Sequence, residues 1–143
     1  MLTTLEIENL LKDVPWFNGV YALDQLPRWI LAPSSVIINL DESYKPGSHW
    51  VAVYFDKNKV AHYFDSFGRQ PQGNILTFIE ANSDYYIYNP IKYQGNLSIA
   101  CGYFCILFVL SVNSLNSFYK LFRQCKHENN EKTLFKQLKK YLI

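Results

Sequence analysis

The sequence predicts an α+β domain, a small mixed sheet packed by helices, and three observations carry that expectation. A capping-box pattern opens an amphipathic helix at the start of the chain. Runs of β-branched and aromatic residues, separated by turn signals, fill residues 35–65. A helix that is apolar nearly all round begins at Cys101, and such a helix belongs at the centre of a domain. The 143 residues suit one domain, 1–143, large enough to bury a core without staples.

Taken in order, Thr3 and Glu6 form the capping box. Ile7, Leu10, Leu11 and Val14 then share one helical face, so the first helix is expected to about Asp13, with Pro15 ending it. Asn18-Gly19 reads as a turn and Pro27 as a further break. Ser35 to Leu40 reads as a buried strand, and 41–48, with Pro46-Gly47, as a loop. His49 to Asp56 reads as a strand apolar on both faces. Trp50, Ala52 and Tyr54 lie on one side, and Val51, Val53 and Phe55 on the other. Lys57-Asn58-Lys59 turns the chain into a strand from Val60 to Asp65, which makes a hairpin. After a loop, a short helix is expected over Asn74–Ala81 and a strand over Tyr85–Tyr88, ended by Asn89-Pro90. One long helix is expected from Cys101 to about Leu121. A last helix, from about Glu131 to Leu142, carries a Leu134, Leu138, Leu142 stripe.

Apolar residues make up 49% of the chain and aromatics 17%, which excludes a disordered chain. The abundant tyrosines also offer walls for a peptide groove. Net charge is +2 but uneven. Residues 1–118 hold seven Lys/Arg and ten Asp/Glu, and residues 119–143 hold seven and two. The basic tail reads as a solvated lysine face or as a contact for nucleic acid or an acidic partner. Three cysteines make no disulfide framework and favour a reducing compartment. Met1 to Glu6 has no basic segment leading into an apolar run, so no signal peptide is expected. The longest apolar run, Cys101 to Val112, has twelve residues. That is short of the roughly twenty a spanning helix needs, and no membrane association is expected.

Cys101 sits at a helix N-terminus, where unpaired N–H groups and the helix dipole favour a thiolate. It reads either as an activated thiol or as a buried structural cysteine. Cys105 reads as structural and Cys125 as a surface thiol. His49 opens a strand at a sheet end. Asp65 closes the partner strand, so the two are expected to meet across the hairpin and the carboxylate to orient the imidazole. His62 and His127 are the rival histidines, the second expected to be solvated. Gln94 reads as an oxyanion donor or an ordinary loop residue. Together these are the parts of thiol-based acyl transfer. No zinc-ligand spacing is present.

The stretches SVIIN, GSHWVAVYFD, HYFDSFG and QGNLSIACGYFC, and more loosely WFNGVYALDQLP, resemble the adenovirus-type maturation cysteine proteases (adenain-like). Virophage and polinton-type relatives belong to the same group. The order His, acid, Gln, Cys is also similar to that of SUMO-specific proteases and some bacterial acetyltransferases. The resemblance implies His49 as general base, Asp65 as orienting acid, Gln94 as oxyanion donor and Cys101 as nucleophile. Adenovirus enzymes usually carry Glu where Asp65 stands; Asp is the choice of the SUMO-protease branch. The implied activity is a thiol endopeptidase that processes virion precursor polypeptides after glycine, inside the host cell (cytoplasm or nucleus) and in the virion. Trp50, Tyr103 and Phe104 are expected to wall the substrate groove. The adenovirus enzyme uses a viral peptide and DNA. This shorter, less basic chain is expected to need no cofactor, to bind DNA weakly or not at all, and to show no sign of oligomers. An isopeptidase for ubiquitin-like modifiers, an acyltransferase and an inactive interaction module are the alternatives with the same fold.

Overall fold

The computed structural model describes residues 1–45, 47–95, 99–122 and 126–142. Pro46, Cys125 and the side chain of Leu142, which carry sequence expectations, lie outside the described residues. The chain runs α1 (Thr4–Leu11), β1 (Phe17–Tyr21), β2 (Ser34–Asn39), β3 (Trp50–Phe55), β4 (Val60–Phe64), α2 (Gly73–Asn82), β5 (Tyr85–Tyr88), α3 (Cys101–Leu110), α4 (Leu115–Leu121) and α5 (His127–Leu142). The five strands lie side by side in sequence order. β2, β3 and β4 are antiparallel neighbours, while β1 and β5 pair parallel at the edges, so the sheet is mixed.

Period-two alternation in β3 builds the layers. Val51, Val53 and Phe55 join Val36, Ile38, Ala61 and Tyr63 on one face, where α2 covers them with Ile75, Phe78 and Ile79. Trp50, Ala52, Ile37 and Phe64 face the other way, onto α3. α1 adds Ile7 and Leu11 to that side, and α5 adds Leu134 and Leu138. α3 is buried from Cys101 to Val109 except for Tyr103, as its uniformly apolar sequence requires. Beneath it, Phe64, Tyr93, Phe104, Phe108, Phe118 and Phe122 stack or meet edge-on, with centroids 5.2–6.5 Å apart. Burying each such ring is worth roughly 1.5–3 kcal/mol. This cluster fixes where α3 begins, and thereby where Cys101 sits.

Three expectations are corrected. Asn18-Gly19 is not a turn but part of edge strand β1, with a register shift between Phe17 and Gly19. The expected long helix from Cys101 is two helices. The chain bends by 69° between Cys101–Leu110 and Val112–Leu121. The Ser111 N–H donates to the Phe108 carbonyl at 3.0 Å and the Ser114 N–H to the Ser111 carbonyl at 2.8 Å, and the backbone tightens into a 3₁₀ turn over Val112–Ser114. α5 begins four residues before the expected Glu131 because a tertiary bond holds its first turn. The buried Asn130 donates from Nδ2 to the Tyr93 carbonyl at 3.1 Å. Among the described residues no single helix is long and apolar enough to cross a membrane.

Candidate active site

His49 lies one residue ahead of β3, at the end of the loop that leaves β2. Asn39 ties that loop down, its Oδ1 accepting from the Asp41 N–H at 2.9 Å and the Ser48 N–H at 3.4 Å. Gly47 passes over it at φ +95°, where a Cβ would meet the Asn39 amide at 2.9 Å. The Leu40 N–H then closes onto the His49 carbonyl at 3.0 Å. The imidazole is thus delivered from a stapled loop at the sheet end.

Asp65 follows β4 directly, and its Oδ1 lies 2.7 Å from His49 Nε2. Both groups are buried, at 6% and 2% exposure. The same oxygen accepts the Phe67 N–H at 2.8 Å, so the carboxylate is held from two sides. Phe67 stacks on the imidazole at 4.5 Å. Arg69 and Lys92 lie 5.1 and 5.4 Å from the Phe67 ring centroid. Gly68 lets this turn close, since at φ +74° a Cβ would press to 2.6 Å from the Pro90 carbonyl oxygen.

Cys101 is the first residue of α3 and is hydrogen-bonded to His49. Asp65 occupies Nε2, so Nδ1 is the ring nitrogen that serves the thiol. Hydrogen bonding from the backbone N–H groups of Trp50 and Gly102 also favours the thiolate. Burial pushes the Cys101 thiol up. The His49 hydrogen bond, the two N–H groups and the His49 charge outweigh it, and the pKa is lowered. Burial likewise pulls His49 down, but the hydrogen bonds and charges of Asp65 and Cys101 raise it to about 9. Both shifts favour a thiolate facing an imidazolium.

Gln94 is wholly buried, and its Oε1 accepts a short hydrogen bond from the Ser66 hydroxyl, itself buried. That bond fixes the amide with Nε2 as its donor end. Ser66 is in turn tied to the same segment through its carbonyl, which accepts the Tyr93 N–H at 2.7 Å. Sequence reasoning missed Ser66. The signal lay in its place, between the candidate acid and Phe67 in a stretch already singled out. Ser66→Ala is expected to lower kcat by roughly tenfold through the loosened amide, a typical penalty for losing one buried hydrogen bond. KM should barely move, and steady-state kinetics checks this.

The rival histidines are elsewhere. His62 Nε2 pairs with Asp56 Oδ2 at 2.9 Å near the hairpin turn, where Asp56 also accepts the Asn58 and Val60 N–H groups. His127, expected to be solvated, is half-buried where α5 starts beside Gly95. Cys105 is fully buried. Burial, with the charges of Cys101 and Asp65, raises its pKa well above the usual value, so it stays a thiol. The expected groove walls need correction. Phe104 is wholly buried in the aromatic cluster and cannot meet a substrate. Trp50 is 3% exposed, though it borders a cleft of about 510 Å³ that Gly47 also lines. Tyr103 is half-buried, edge-on to Phe135 of α5. On α5 the basic face is exposed at Lys132, Lys136, Lys139 and Lys140, with Leu134 and Leu138 turned inward. Among the described residues no three His, Cys, Asp or Glu side chains converge as a metal site.

Comparison of the structure with solved proteins gives a match over 94% of this chain, at TM-score 0.65 and 16% identity, to the ASFV pS273R protease. The chain has the fold of that viral protease. It covers 66% of the matched ASFV chain. A weaker likeness, at TM-score 0.41 and 20% identity over 70% of this chain and 54% of the other, is to the SUMO protease Ulp1. In sequence, the chain is 34% identical over 91 residues to R355 of Acanthamoeba polyphaga mimivirus, a protein named as a candidate thiol protease. That match takes in 56% of this chain and 30% of R355, so the chain spans less than a third of its relative. No family model matches.

Proposed function

We propose that this chain is a viral thiol endopeptidase with His49, Asp65, Gln94 and Cys101 as its working groups. The observation that carries the reading is the buried His49–Asp65 pair at 2.7 Å, with its imidazole hydrogen-bonded to a cysteine at a helix N-terminus. The likeness of the fold to a viral protease and of the sequence to a mimivirus protein supports it.

In this mechanism the Cys101 thiolate attacks the scissile carbonyl carbon. A C–S bond forms and the π electrons move to oxygen. The Gln94 amide and the Cys101 N–H receive that oxyanion. The tetrahedral adduct collapses as its C–N bond breaks, and His49 passes its proton to the departing amine. Asp65 holds the ring in place throughout. Water then adds to the thioester, with neutral His49 taking its proton. Collapse releases the new carboxyl terminus, and the sulfur returns to the imidazolium-paired state.

The proposed substrates are virion precursor polypeptides, cut after glycine, in the host cell and in the virion. Origin of the likenesses in viruses supports the first point. The second rests on the sequence resemblance to the adenain-like proteases. DNA is not proposed as an activator. A peptide library measures the specificity directly. Cleavage after Gly in preference to Ala is the expected result, and efficient cleavage after Lys, Arg or a large aromatic residue would overturn it. Gln94→Ala is expected to reduce kcat about 100- to 1000-fold with a smaller change in KM, because an oxyanion donor acts mainly in the transition state. Equal losses in substrate affinity would instead make Gln94 a binding residue.

A further inference from the structure

The segment ahead of α1 reaches the candidate site. Leu2 is 7% exposed, and its carbonyl accepts a buried hydrogen bond from Trp50 Nε1 at 3.0 Å. Its side chain lies against Gly102. A Cβ on that glycine would be 3.1 Å from Leu2 Cδ1 and 3.1 Å from Trp50 Cδ1. Leu2 therefore touches both Trp50 and Gly102. These are the residues that directly follow His49 and Cys101 in the chain, and their backbone N–H groups are among the causes that lower the Cys101 pKa.

The arm that carries Leu2 is itself fixed. The Thr3 N–H donates to Glu6 Oε1 at 3.0 Å, and the Glu6 N–H donates to Thr3 Oγ1 at 3.2 Å. This reciprocal cap sets the start of α1, and Ile7 and Leu11 anchor the helix in the same core as α3. Leu2 is left with one path, across the Trp50 indole and onto Gly102. At Gly102 the packing is tight, since a Cβ there would require the Leu2 or Trp50 side chain to give by a few tenths of an ångström, and this suits a contact that sets position.

We propose that Leu2 is a positioning residue, clamping Trp50 and Gly102 so that their backbone N–H groups stay aimed at the Cys101 sulfur. The consequence for turnover rests on the thiol-endopeptidase reading. The clamp holds a thiolate in place before substrate arrives, so its loss falls on the sulfur's acidity and on kcat rather than on substrate affinity.

The test is the pH dependence of Cys101 alkylation by iodoacetamide, followed by mass spectrometry of the Cys101 peptide, together with steady-state kinetics. Folding of each variant is checked by circular dichroism. In Leu2→Ala the alkylation midpoint should rise by about one pH unit and kcat should fall about tenfold, with KM within about twofold of wild type. Leu2→Met, which refills the contact, should restore both. A folded Leu2→Ala protein with wild-type midpoint and kcat overturns the clamp. If Leu2→Ala does not fold, Trp50→Phe decides, since it keeps a ring but removes the indole N–H bonded to Leu2. There a raised midpoint supports the clamp and an unchanged one overturns it. An ordinary thiol midpoint in the wild-type protein would sink the endopeptidase reading, and the clamp with it. A low wild-type midpoint that Leu2→Ala leaves unmoved removes the clamp alone.

Discussion

A protein carrying Cys101→Ala should lose peptide cleavage by on the order of 10⁶-fold, the scale seen when a covalent nucleophile is removed. Two features of the site make so large a loss specific. The first is that Cys105, one turn along α3, cannot substitute. It is wholly buried, and its pKa is pushed well above the usual value, so it offers no thiolate. The second is that the fold should survive. Alanine is the best helix former, and the change removes one sulfur from the first position of α3, away from the aromatic cluster that anchors the helix. Cleavage of a fluorogenic peptide, with circular dichroism as the control for folding, checks both halves. Turnover near the wild-type rate would end the proposed mechanism.

What could be read from the sequence follows the reach of local physics. The hairpin of β3 and β4 was legible because alternation and a three-residue polar turn are local signals, and the hairpin alone brings His49 to Asp65. The capping box of α1 was legible for the same reason. The 69° break after Leu110 was harder to see, because an apolar helix can run on through Ser and Asn unless its surroundings draw it aside. The edge strand at Asn18-Gly19 was hidden by a dipeptide that usually turns. Here it is paired with β2, and the Tyr21 hydroxyl donates to the Asn18 side chain. Phe104 misled for a geometric reason. Its place after the candidate nucleophile suggested a groove wall, but helical rotation carries position 104 under the sheet, onto Phe64 and Phe122. Ser66 and Leu2 act through contacts 28 and 48 residues away in the chain, to Gln94 and Trp50, which no spacing rule reports.

Removing the imidazole should be nearly as damaging as removing the sulfur, and the pH behaviour of the two variants should separate the partners. His49→Gln is the better substitution, because an amide can still donate to Asp65, whereas His49→Ala would leave a buried carboxylate short of a partner. Loss of the base is expected to cost at least about 10⁴-fold in kcat/KM, and the Cys101 alkylation midpoint should rise, because the His49 hydrogen bond and charge no longer offset burial. Stability gives an independent reading. His49 is raised from 6.5 to about 9, so its contribution is fully present below pH 6.5 and is lost as pH rises through about 9. Cys101 is lowered from 9.0, so its contribution is present above pH 9 and is lost as pH falls through its folded pKa. In the part of pH 6.5–9 that lies above the folded pKa of Cys101, the folded pair holds one proton, on the imidazole. The unfolded pair also holds one, on the sulfur. The pair therefore adds no slope to stability across that window in the wild-type protein. Cys101→Ala removes the cancellation: His49 is still raised by Asp65, and stability should fall as pH climbs above 6.5. His49→Gln has no imidazole to lose a proton and should show no such fall. Denaturant melts of the three proteins between pH 6 and 9.5 measure this. A Cys101→Ala protein as flat as the wild type would mean that Asp65 alone does not hold His49 charged against burial, and that the thiolate supplies the rest.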